Sequence, residues 1–137
     1  MPVQFAFEIE GLAEAVDNFL QGNERVGKAL LRATLASTKI IRKAMATYPD
    51  ARPESTYRRT GTLGRRWHAE AKMTSDDVLG LVGNTAPYAP YVQSYEKQAS
   101  MHWGTWQTDK QVVNETREQI TEIFAEEISR AMLTQKD

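Results

Sequence analysis

Few side chains here can move a proton near neutral pH: the chain has two histidines, His68 and His102, and no cysteine. An imidazole works as a general base or metal ligand only with partners at defined spacing. His68 stands on the polar phase of an alternating segment, with no second ligand at metal spacing. His102 lies between Met101 and Trp103 and reads as a packed or interface aromatic. No nucleophile elbow or other local catalytic signature is present. Gly61 and Gly64 flank Thr62 and Leu63 but lack the Gly-Lys-Ser/Thr continuation of a phosphate-binding loop. Glu115, Glu118, Glu122 and Glu126 are spaced as a solvated helix face, and no oxygen-ligand loop for calcium occurs. The expectation is a non-enzymatic protein with no catalytic residue, no cofactor and no metal site.

Two constellations suit binding instead. The first is a basic stretch from Arg52 to Lys72, with Arg52, Arg58, Arg59, Arg65, Arg66 and Lys72 against Glu54 and Glu70. Guanidinium groups match phosphate or carboxylate partners in a bidentate way, so this stretch suits nucleic acid or a protein surface. The second is an aromatic stretch containing Tyr88, Tyr91, Tyr95, Trp103 and Trp106. Tyr and Trp bury much area at little entropy cost and favour interfaces; the plainer alternative is that some cap the ends of a sheet.

These residues need elements to hold them. Val3, Phe5, Phe7 and Ile9 alternate with polar or small residues, which predicts a strand over 3–9 with one buried side. A short helical segment from Leu12 to Phe19 follows, and Gln21-Gly22-Asn23 is a turn. Asn23 can cap a helix from about Glu24 to about Thr47, roughly 36 Å long. Its expected apolar stripe is Val26, Leu30, Ala33, Ser37, Ile40 and Ala44, widened by Leu31, Ile41 and Met45; Lys28, Arg32, Lys39, Arg42 and Lys43 lie largely on other faces. Pro49 ends it, and the polar run YPDARPESTYRRTG predicts a mobile loop at about 48–62. Structure resumes at Leu63. Trp67, Ala69, Ala71 and Met73 form the apolar phase of one strand, a turn follows at 74–77, and Val78 to Val82 forms a second, giving a β-hairpin. Residues 85–107 read as irregular. A last helix from about Asp109 to about Met132 has Thr108 as its cap and Val113, Thr116, Ile120, Ile123, Phe124, Ile128 and Ala131 as its apolar stripe. Strands and helices do not alternate as βαβ units. The predicted class is α+β, one domain over 1–137, with a small antiparallel sheet of the N-terminal strand and the hairpin packed against two long helices.

Composition bounds the rest. With 137 residues, 41% hydrophobic and 26% charged, the chain has an ordinary globular balance. A formal net charge of -1 implies no global pull toward nucleic acid or acidic membranes. The N-terminal segment has no basic region before an apolar run, so no signal peptide is expected, and no run approaches the roughly 20 apolar residues of a membrane span.

Three features, in order, resemble the neck or tail-completion proteins of long-tailed bacteriophages, the siphophages. They are the long Ala- and Lys/Arg-rich helix leading to a proline, ALLRATLASTKIIRKAMATYP; the loop exit TGTLGRRW, where that family has Thr/Ser-Gly-x-Leu-Arg before the first hairpin strand; and GNTAPYAPYVQ after the hairpin, where it has Tyr-Ala-x-Tyr-Val-Glu. The likeness covers roughly residues 20–135 and rests on the ordered set. One departure is clear: the family continues with an aromatic-Gly-Thr turn, whereas this chain has Gln93-Ser94-Tyr95-Glu96. The resemblance implies a structural virion subunit of the head–tail junction, assembled in the bacterial host cytoplasm. It implies a homo-oligomeric ring, six- or twelvefold, between connector or stopper proteins and the tail terminator or tail tube. DNA at most passes through the channel, and no membrane is involved. Arg52, Arg58, Arg59, Arg65, Arg66, Tyr88, Tyr91, Tyr95, Trp103 and Trp106 are the candidate contact residues. Two other readings compete: a small nucleic-acid-binding module using the Arg52–Lys72 stretch, and a small hydrolase built on His68 or His102. A steep salt dependence of duplex binding marks the first, and loss of a measurable activity on mutating a histidine marks the second.

Overall fold

In the computed structural model the described residues are 3–5, 17, 19, 21–50, 62–73 and 78–133. The elements are β1 (Val3–Phe5), α1 (Glu24–Met45), a single helical turn α2 (Thr62–Arg65), β2 (Trp67–Met73), β3 (Val78–Asn84), a short α3 (Ala89–Gln93), a 3₁₀ turn at Ser100–His102 and α4 (Asp109–Leu133). The strands form one antiparallel sheet in the order β1-β3-β2. Val3 and Trp67 both pair with Asn84, and Ala69 pairs with Val82. The class is α+β, as expected. Residues 6–9, most of the segment 12–19, the greater part of the 48–62 loop and the hairpin turn at 74–77 lie outside the described residues.

Helix α1 starts where its cap directs. The Asn23 side-chain oxygen accepts from the backbone N–H groups of Arg25 (3.1 Å) and Val26 (3.2 Å), satisfying two donors that no helical carbonyl can reach. The helix ends at Met45, two residues before the predicted boundary: Thr47 N–H turns back to Ala44 O, and Pro49 stands two positions further on. Its buried row runs through Val26, Leu30, Ala33, Ser37, Ile41 and Met45. Ile40 and Ala44, expected on that row, are half-buried at its edge. A 3.6-residue turn drifts around the helix, and the row follows it by stepping to 41 and 45.

One side of α1 lies on β2 and β3, and α4 packs along it. The approach of β3 is close. A Cβ at Gly80 would sit 2.8 Å from the methyls of both Thr34 and Thr38, so only glycine fits without displacement. The buried hydroxyls in this contact are satisfied by their own helix: Thr34 donates to Leu30 O, Ser37 to Ala33 O and Thr38 to Leu35 O.

Helix α4 opens with a reciprocal cap. Thr108 Oγ1 accepts from Gln111 N–H (3.3 Å), and Gln111 Oε1 accepts from Thr108 N–H (2.9 Å). Its buried row is Val112, Thr116, Ile120, Phe124, Ile128 and Ala131. Val113 and Ile123 only flank it, so the predicted stripe began one residue late. The two long helices run antiparallel: Met45 and Gln107 are joined through Gln93 at one end, and Arg32 pairs with Glu127 (3.1 Å) toward the other. One core cluster unites α1, α4, Trp67 and Val82. Met73, placed on the buried phase of β2, is exposed at the strand's end.

Candidate functional site: the aromatic segment

Residues 85–107 are more ordered than their composition suggests. Pro90 sits in the first turn of α3, where a missing N–H costs nothing, and its carbonyl accepts from Ser94 N–H as the helix closes. Two glutamines then tie the segment down. Gln98 Nε2 lies within hydrogen-bond reach of the carbonyls of Val92 (2.7 Å), Trp106 (3.0 Å) and His102 (3.4 Å). Gln93, fully buried, donates from Nε2 to Met45 O (2.9 Å) and Gln107 O (3.2 Å). The segment is thus bolted to the end of α1 and the start of α4. Tyr95 N–H adds a bond to Asp109 Oδ1 (3.0 Å), and Lys110 Nζ lies 4.1 Å from the centre of the Tyr95 ring.

Held on this backbone, Tyr88, Tyr91, Tyr95, Met101 and Trp103 face outward; Tyr91 is 58% and Trp103 67% exposed. Trp103 still has a satisfied N–H, donated to Gln98 O at 3.0 Å, so its ring is held in place while its faces stay accessible. Trp106, grouped with these as a candidate contact residue from sequence, is turned partly inward. It is half-buried, stacks at a tilt on Tyr48 with centroids 5.1 Å apart, and packs on a small second core of Leu63, Ala86 and Ala89. The turns after Gln98 lead the chain back so that the Trp106 ring meets Tyr48 and this second core.

Asn84, the last residue of β3, is a buried connector. Its Nδ2 donates to Leu63 O (2.8 Å) and its Oδ1 accepts from Ala86 N–H (2.8 Å), so α2 and the start of the aromatic segment are fastened to the sheet. Neither this role nor those of Gln93 and Gln98 has a signal in the sequence, because nothing in local spacing says which distant carbonyl an amide will meet.

Among the basic candidates, Arg65 and Arg66 are exposed at the end of α2, one residue from the buried Trp67. Arg52, Arg58 and Arg59 lie outside the described residues. The histidines are brought to no common site. His68 is half-buried and pairs across the sheet with Gly83. His102 sets its ring edge-on to Trp106 at 5.8 Å, and partial burial lowers its pKa below the usual value. Among the described residues no three His, Cys, Asp or Glu side chains come together to hold a metal ion. No described helix is long and apolar enough to cross a membrane.

Two expectations arise at this hinge. Burial raises the Tyr48 hydroxyl above its ordinary 10.0, opposed by the hydrogen bond from Trp67 and helped by Tyr88. The folded state therefore holds this proton more tightly than the unfolded chain. Stability from it is complete below the unfolded value and is lost as pH rises beyond about 10. Wild-type melting temperature should fall more steeply than that of Tyr48→Phe in that alkaline range; parallel curves would remove Tyr48 as the cause. The second concerns Gln93. Gln93→Glu replaces a donor with an acceptor facing two carbonyls, at a cost of about 1–3 kcal/mol at neutral pH. Desolvation would raise the new carboxyl's pKa in the folded state. The loss should therefore shrink as pH falls toward 4 and the acid regains a hydrogen. Denaturant titrations at two pH values check this, and a loss equal at both would refute it.

Compared with known family models, curated proteins and solved structures, the chain matches none.

Proposed function

We propose that this protein is a structural subunit of a tailed-phage particle at the head–tail junction, forming a ring that joins the connector to the tail. The observation that carries the reading is the set of exposed aromatics on a backbone fastened to the sheet through Asn84 and to the end of α1 and the start of α4 through Gln93. Rigid Tyr and Trp side chains, already ordered, lose little entropy on docking and form strong contact points. A catalytic reading has less support, since among the described residues His68 and His102 are brought to no common site with a metal-binding cluster, and no cofactor is needed for the role proposed. The resemblance of the helix–proline, Thr-Gly-x-Leu and Tyr-Ala-x-Tyr-Val segments to neck and tail-completion proteins supports the particular place in the particle.

In this role the wall of the ring is built from α1 and α4, which share one core, while Tyr91, Tyr95 and Trp103 seat against a neighbouring ring or subunit. Arg65 and Arg66, exposed just before Trp67, serve a second contact. Ring subunits require head-to-tail contacts that close by rotation, so two unlike surfaces per copy are needed. Antibody fragments against the chain, imaged on intact particles, should mark the junction of head and tail. Labelling confined to the capsid shell or the tail tip would refute the placement.

A further inference from the structure

Opposite the core, α1 exposes Arg25, Lys28, Arg32, Leu35, Lys39 and Arg42, a row stepping by three and four residues for about 26 Å. No acidic residue interrupts it after Glu24 in the first turn. Helix α4 does the reverse. Its solvent side carries Glu115, Glu118, Glu122 and Glu126 at the same spacing, over about 16 Å. A single chain thus presents one cationic and one anionic helix stripe, each backed by a rigid core. The intramolecular ion pairs Arg32–Glu127 and Glu126–Arg130 use only part of them. Among the described residues no ion pair engages Lys28, Lys39, Glu118 or Glu122.

We infer that the cationic stripe of α1 docks on the anionic stripe of α4 in a second copy of this chain. Matching three–four spacings let two helices lie side by side at a shallow angle with successive charges opposed. Opposite charges orient the approach, and like charges penalise pairing of α1 with α1 or α4 with α4. Because the two surfaces differ, each bound copy leaves one stripe of each kind open at the ends. The contact is heterologous and propagates until rotation closes it. The inference deepens the assembly reading, and rests on it only for what the closed oligomer does.

The test is charge exchange, read by sedimentation of the full chain with circular dichroism as a folding check. Lys28→Glu with Lys39→Glu, and separately Glu115→Lys with Glu126→Lys, the two pairs each eleven residues apart, should each weaken self-association by about tenfold or more. Both sets in one chain, or the two variants mixed, should recover most of the loss, because opposite charges then face each other again. Added salt should weaken the wild-type oligomer. A wild-type chain that stays monomeric at low salt, or reversals that leave association unchanged, would overturn the docking. So would loss of duplex DNA binding in the Lys28/Lys39 variant with association intact, which assigns the cationic stripe to nucleic acid. The two readings fail separately: charge exchange can succeed in a protein absent from particles, and a junction protein can assemble through other surfaces.

Discussion

Trp67→Ala should lower the unfolding free energy by roughly 3–5 kcal/mol, the cost of emptying a large buried aromatic site. Trp67 is 4% exposed, begins β2, and belongs to the cluster that includes Ile41 and Val82. Its Nε1 donates to the Tyr48 hydroxyl at 2.6 Å, linking the sheet to the chain just beyond α1. Removing the ring leaves a cavity where sheet and helix meet, and it leaves the half-buried Tyr48 hydroxyl without this donor. For a chain of this length such a loss shifts the melting temperature by roughly 10–20 degrees. Trp67→Phe keeps most of the volume and should recover much of the stability, since only the hydrogen bond and part of the ring are lost. An unchanged melting temperature in Trp67→Ala would show that this residue does not anchor the core.

The second large effect is on assembly. Tyr91→Ala with Trp103→Ala should leave the fold intact, because both side chains are mostly exposed and neither belongs to a core cluster. Each is expected to be a contact anchor, and truncating one costs about 2 kcal/mol, roughly thirtyfold in affinity. In a closed ring the loss repeats at every subunit. The double variant should therefore fail to rescue particle joining in a phage lacking this protein, while His68→Ala with His102→Ala rescues it. Each variant is first shown to be folded by its melting curve. A histidine variant that folds normally but alone fails to rescue would move the hydrolase reading to first place.

How far these residues could be read from sequence depended on whether their roles were local. Asn23 and Thr108 cap helices through backbone groups two or three residues away, so their positions were legible. Trp67 was legible because strand alternation places it on the inner face. The rows on α1 and α4 were found but misplaced by one residue at Ile40 and Val113. Apolar residues flank both possible rows there, and only the partner surface decides between them. Between 85 and 107, prolines and aromatics suggested irregular chain. Its order comes from Gln93 and Gln98 reaching carbonyls far along the sequence or on another element. The inward side of Trp106 was hidden for the same reason: its contact with Tyr48, far along the chain, is tertiary. The charged stripes carry a readable three–four spacing. Their meaning depends on both helices turning those faces away from one shared core, which is known only from the fold.

The proposed place at the head–tail junction is tested most directly by electron microscopy of particles made without this protein, in the phage that the proposal takes as its source, with heads, tails and joined particles counted. DNA-filled heads and separate tails should accumulate side by side, with joined particles restored when the protein is supplied in trans. A normal yield of joined, infectious particles in its absence would contradict that placement.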